Sequence, residues 1–131
     1  WWLMTNICSS GLPDFNSELH IFSSNNLLSS DWKPNNKNPV LFDPLVGRNG
    51  GLIIENDNIY RVQQRQGFDF YGEALGVAKI TLLNDDEYEE EKIFQVEPNF
   101  FDNIEGTHTL NYKSGLLVLD YVKVDKHEKK S

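Results

Sequence analysis

The stretch Gly51-Leu52-Ile53-Ile54-Glu55-Asn56-Asp57-Asn58-Ile59-Tyr60-Arg61-Val62-Gln63-Gln64 decides the fold. Two runs rich in β-branched and aromatic residues flank Asn56-Asp57-Asn58, whose side chains tolerate the left-handed backbone angles of a tight hairpin turn. The spacing predicts an antiparallel strand pair. The next run, Ala74-Leu75-Gly76-Val77-Ala78-Lys79-Ile80-Thr81-Leu82-Leu83, is β-branched in its middle and ends in Asn84-Asp85, so it reads as strand rather than helix. Residues 88–96 add a further strand, in which Glu89-Glu90-Glu91 reads as a solvated edge that discourages pairing with another chain.

The same alternation extends in both directions. Residues 1–7 are rich in Trp, Leu and Ile, break at Ser9-Ser10-Gly11-Leu12-Pro13-Asp14, and resume as Leu19-His20-Ile21-Phe22-Ser23, which predicts a second antiparallel pair. Trp32, between Asp31 and Pro34, reads as an amphipathic cover on a core edge, and Asn35-Asn36-Lys37-Asn38-Pro39 as a loop. A last pair, residues 107–112 and 116–124, is joined by Lys113-Ser114-Gly115, and residues 125–131 read as a charged, mobile tail. Seven to nine strands at roughly 8–12-residue spacing predict an antiparallel all-β fold, a sandwich or a propeller. Two comparable groups of strands, each about 50 residues, favour the propeller.

At 131 residues the chain has the length of one domain. A net charge of -8 repels phosphate backbones and anionic membranes, which argues against nucleic acid as a partner, and no apolar run approaches the roughly 20 residues of a membrane span. Cys8 has no second thiol to pair with, so it reads as a buried structural thiol, outside any disulfide or cysteine zinc site. With no signal-like pattern at the start, the single Cys favours a cytoplasmic setting. The opening Trp1-Trp2-Leu3-Met4 reads as the start of a piece cut from a longer polypeptide.

An ordered series of motifs then points to a family. Trp1-Trp2-Leu3-Met4-Thr5-Asn6, Leu19-His20-Ile21-Phe22, Trp32-Lys33-Pro34, Asn38-Pro39-Val40, Tyr60-Arg61 with Gln64, Tyr71-Gly72, Tyr88-Glu89-Glu90 and Gly106-Thr107-His108-Thr109-Leu110-Asn111 resemble the N-terminal domain of plant glucosamine inositolphosphorylceramide transferases. Similar bacterial segments follow formyltransferase-like domains. The resemblance covers most of residues 1–124 and implies a five-bladed β-propeller related to glycoside hydrolases. At about twice this length for five blades, the chain corresponds to the two to three C-terminal ones. Arg48-Asn49-Gly50-Gly51 departs from the Arg with an Ala-Gly pair of similar proteins, and Val62 replaces the Pro that follows their Tyr-Arg pair. The Arg-Asp-Pro and Glu-Cys signatures of fructan-cleaving propellers do not occur.

A glycosidase needs two carboxyl groups about 5–5.5 Å or about 6.5–9.5 Å apart, one kept protonated by burial. Asp14, Glu18, Asp69 and Glu73 lie where a propeller's mouth could be, and nothing in their spacing singles out a pair. The general base of five-bladed hydrolases comes from the first blade, so the resemblance implies that this chain holds no complete catalytic pair. Chemistry in the parent, glycosidase-like or sugar-transferring, stays an open alternative. Arg61, Gln64 and His108 on inner strands would face the cavity, where guanidinium and amide groups recognise hydroxyls or carboxylates, and Tyr71 would stack on a sugar face. The opposing reading pairs Arg61 with Asp69 or Glu73 and keeps His108 as a core histidine. His20, His108 and His127 lack metal-ligand spacing, which argues against zinc; a calcium site on loop carboxylates stays open without a motif to support it, and no metal or cofactor is expected.

The leading functional reading is a carbohydrate recognition or accessory module of a larger sugar-modifying protein, with a carbohydrate or nucleotide sugar as ligand. An assembly domain is the other alternative. Its partners would be the remaining blades of the parent, or a second copy meeting it through open blade edges.

Overall fold

The computed structural model describes residues 1–11, 13–68 and 71–124. The tail at 125–131, with His127, and the candidate Asp69 lie outside the described residues. Among the described residues the chain is all antiparallel β, with twelve strands and no helix. No barrel closes.

Strand β1 (Trp2–Asn6) pairs with β2 (Glu18–Ser23), which also pairs with the short β3 (Lys33–Pro34) and β4 (Leu41–Phe42). Then β5 (Arg48–Glu55), β6 (Asn58–Arg65), β7 (Ala74–Leu83) and β8 (Tyr88–Val96) form a four-stranded meander in chain order. The hairpin β10 (Leu110–Lys113) and β11 (Leu116–Leu119) follows, while β9 (Ile104–Gly106) pairs with β12 (Val122–Lys123). The predicted final pair is therefore split. Asp120 takes the amides of His108 and Thr109 onto its side chain at 3.0 and 2.8 Å, which removes them from strand pairing and ends β11 at Leu119.

Turn chemistry is local. Asn56 and Asp57 have φ of 50° and 61°, as a two-residue hairpin requires, and Ser114 and Gly115 repeat the device at 52° and 83°. Between β7 and β8, Asn84 Oδ1 accepts the amides of Asp86 and Glu87 at 2.9 and 2.8 Å. Buried Leu19 and Ile21 anchor β2, and a second core joins Ile53, Val62 and Leu75 of the meander to Leu110 of the hairpin. That packing sets β10 against β5, where a Cβ on Gly51 would stand 3.3 Å from Leu110 O. β5 also meets β1, with the Asn49 amide donating to Asn6 Oδ1 at 3.0 Å. Cys8 is half-buried, more exposed than a core thiol, with its Sγ 3.6 Å from Ser10 Oγ.

Candidate functional site

Arg48 opens β5, and the register of β5 on β6 puts it opposite Gln64. Its Nε donates to Gln64 Oε1 at 3.0 Å, Nη1 to Asn16 Oδ1 at 3.0 Å and Nη2 to Tyr71 Oη at 2.9 Å. The guanidinium carbon stands 4.7 Å from the centre of the Tyr71 ring, within cation–π range. Tyr71 in turn meets the His108 imidazole edge-on, with ring centroids 5.3 Å apart.

Gly72 permits that approach, because its φ of +74° suits glycine and a Cβ there would lie 2.8 Å from His108 Cδ2. Behind the imidazole, His108 Nδ1 rests on Asp120 Oδ2. Burial works against the Asp120 charge, but the amides of His108 and Thr109 outweigh it and hold the carboxyl below its usual range. Gln66 Oε1 accepts the Gly72 amide at 3.3 Å, and its buried Nε2 has no hydrogen-bond partner among the described residues.

Gln64, Tyr71 and His108 thus share one neighbourhood with Arg48. Tyr71 is half-exposed there and Gln64 is buried behind the guanidinium. A fixed guanidinium beside an accessible aromatic face can hydrogen-bond hydroxyl or carboxylate oxygens while an apolar ring stacks alongside.

Arg61 is elsewhere, on the opposite side of β6 and fully buried. Its Nε and Nη2 donate to Glu90 Oε2 and Oε1, both at 2.7 Å, and Nη2 also reaches Val46 O at 2.7 Å. Nη1 donates to Asn49 Oδ1 at 3.2 Å. Gln63 Nε2 donates to Glu90 Oε1 at 2.7 Å, and Gly76, opposite it on β7, leaves the room this side chain needs. Tyr88 Oη donates to Glu90 Oε2; burial and the Glu90 charge push the phenol well above its ordinary pKa. Glu90 therefore faces inward, unlike its exposed neighbours Glu89 and Glu91, and corrects the reading of the whole acidic run as a solvated edge.

Three of the four candidate carboxylates are described, and each has local partners. Asp14 accepts the Asn16 amide at 2.8 Å and the Ser17 hydroxyl, and the Ser17 bond leads in lowering its pKa. Glu18 is buried, accepts the Ser9 amide on both oxygens at 3.2 Å and lies 2.9 Å from His20 Nε2. Glu73 pairs with Arg65 at 2.8 Å, and Arg65 reaches on to Glu97 at 2.8 Å. Among the described residues no group of three or more His, Cys, Asp or Glu side chains could hold a metal ion, and no helix is long and apolar enough to cross a membrane.

Comparison with known proteins adds what geometry alone does not. The family model described as glucosamine inositolphosphorylceramide transferase 1, N-terminal, matches residues 1–113. The Arabidopsis thaliana protein glucosamine inositolphosphorylceramide transferase 1 is 36% identical over 81 residues, which are 60% of this chain and 10% of that protein. The chain thus aligns with about a tenth of the length of this relative. No solved structure matches.

Proposed function

The chain belongs to the family of the N-terminal domain of glucosamine inositolphosphorylceramide transferase 1, and from that premise we propose that it is a carbohydrate-recognition module of a larger sugar-modifying protein. The observation that carries the proposal is the contact of Arg48 with Tyr71, a guanidinium held 2.9 Å from the phenol oxygen beside a half-exposed ring. In this reading Arg48 and Tyr71 touch the ligand, His108 orients Tyr71, and Gln64 fixes the guanidinium from behind. Arg61 serves as the internal anchor of the sheet.

We also read the antiparallel groups as successive blades of a propeller. In support, β5, the first strand of the meander, lies beside both β1 and β10, and β5–β8 is a four-stranded meander of blade size. Exposed Leu116, Leu117 and Val118 on β11 suit a face that further strands of the parent would cover. Asp14, Glu18 and Glu73 are each tied to local partners, which supports a binding role for this chain over a catalytic one.

The relative's name contains an amino sugar and an inositol phosphate, which selects the probes. Calorimetric titration of the parent protein with glucosamine, inositol phosphate and nucleotide sugars tests the assignment. Arg48→Ala and Tyr71→Ala each lower affinity about tenfold, equal to about 1.4 kcal/mol. Unchanged binding in both variants refutes it.

A further inference from the structure

Asp120 does more than end β11. Its Oδ1 accepts the amides of His108 and Thr109 at 3.0 and 2.8 Å, which fixes the carboxylate, and its Oδ2 stands against His108 Nδ1, a buried nitrogen. Burial works against the Asp120 charge, yet the two amides outweigh it and keep the carboxyl ionised at neutral pH. A ring nitrogen pressed on an ionised carboxylate has to carry a hydrogen, because two facing lone pairs repel. The neutral imidazole is therefore the Nδ1–H form, and Nε2 keeps a bare lone pair that can only accept.

Nε2 is the atom a ligand can reach. The His108 side chain is 29% exposed, and among the described residues Nε2 has no hydrogen-bond partner. Its neighbour in the ring, Cδ2, lies on the side turned to Gly72, across the ring from Nδ1. Half-exposed Tyr71 meets the imidazole edge-on at 5.3 Å between centroids, so a ligand lying along Tyr71 borders the ring. Among the described residues, Asp120 faces His108 from the segment after β11 and Tyr71 from the loop between β6 and β7. Arg48 of β5 reaches the same Tyr71 oxygen, and Glu73, at the end of that loop, is paired with Arg65. Gln64, Asn16, Phe15 O and Tyr71 take four of the five Arg48 N–H groups, which leaves one on Nη2 for a ligand.

We propose that His108, besides orienting Tyr71, sets the charge class of ligand that the Arg48 site accepts. With the ring neutral, the Nε2 lone pair admits a hydroxyl and rejects an anionic oxygen; with the ring protonated, Nε2–H favours the anion. The inference rests on the Arg48 reading and adds a pH-dependent choice to it. A hydroxyl bonds to either form, donating to the lone pair or accepting from Nε2–H, whereas an anionic oxygen has only lone pairs to offer. Protonation leaves Nδ1–H on Asp120, so the ring changes charge in place. Imidazoles make this change between about pH 5 and pH 8, above the range in which carboxylates titrate.

Nitrogen NMR of the imidazoles and titrations of the full chain test the proposal, with sodium sulfate and methyl glucoside as probes. At pH 8 the His108 hydrogen is expected on Nδ1, and a hydrogen on Nε2 overturns the proposal. From pH 8 to pH 5 sulfate affinity is expected to rise about tenfold, while the glucoside stays within about twofold. His108→Phe keeps an aromatic edge on Tyr71 and removes the rise. Acid also trims the net charge of -8 in both chains, so the difference between them is the readout. Sulfate that fails to bind at pH 5, or that gains equally in the unaltered chain and in His108→Phe, overturns the proposal. Where Arg48→Ala abolishes binding but the pH profile ignores His108→Phe, this inference falls alone; sulfate binding that survives Arg48→Ala takes the Arg48 reading down with it.

Discussion

Arg61 and Glu90 meet inside the β5–β8 sheet through two parallel bonds, Nε to Oε2 and Nη2 to Oε1, each 2.7 Å long. Burial works against the Arg61 charge, and the bonds and charge of Glu90 outweigh it, raising its pKa above the ordinary value. Removing one partner strands the other charge in the interior, which costs about 3–5 kcal/mol. Glu90→Ala is therefore expected to lower stability to urea by that amount, while Glu89→Ala stays within about 0.5 kcal/mol of the parent.

That pair lies beyond what composition and spacing specify. The hairpin at Asn56-Asp57 was legible because few residue types tolerate two left-handed positions in succession. The strands at 74–83 and 88–96 were legible from their composition, and the structure gives the same bounds. Composition could not say which of three consecutive glutamates points inward, since that depends on pairing with a strand far away in sequence. Arg48 stands outside the expected ligand set because Arg48-Asn49-Gly50-Gly51 departs from the pattern of similar proteins, and the strand register adds what that departure hides. Counting back from Glu55 opposite Asn58 aligns Gln64 with Asn49, but a bulge between Asn49 and Gly51 shifts the register and brings Arg48 there instead. The Gly50-Gly51 pair was the available signal, since glycine inside a strand often marks a bulge.

Gly72 and Gly115 separate backbone strain from site geometry. Both have left-handed angles, φ +74° and +83°, but a methyl on Gly72 meets the His108 ring at 2.8 Å and one on Gly115 meets nothing within 4 Å. Each Ala substitution costs about 1–2 kcal/mol through the backbone. Gly72→Ala alone displaces His108 and weakens ligand binding; thermal unfolding and titration of both variants read the difference.

Gly47 gives a harsher case. A methyl there would run into the Ser17 carbonyl, a backbone atom that cannot swing aside, and Gly47 O accepts Asn6 Nδ2 at 2.9 Å. Gly47→Ala is expected to lower stability by about 3 kcal/mol or more, beyond the usual range for surface changes. Chemical denaturation checks it.

Acid should loosen the region around the last hairpin. Asp120 has a depressed pKa in the folded state, so the unfolded chain binds its proton more readily. The associated stability is present above the unfolded value, about 3.9, and is lost as pH falls through the lower folded one. Asp14 and Glu18, also depressed, act in the same direction. Urea midpoints measured from pH 6 down to pH 2 should fall, and Asp120→Asn should flatten that fall.

The proposed site holds a sugar at Arg48 and Tyr71. Mapping backbone amide shifts by NMR while the ligand found by calorimetry is added tests it most directly. The largest shifts are expected at Arg48, Gln64, Tyr71, Gly72 and His108, and they disappear in Arg48→Ala with the fold retained. Saturable binding that leaves these amides unmoved would contradict it.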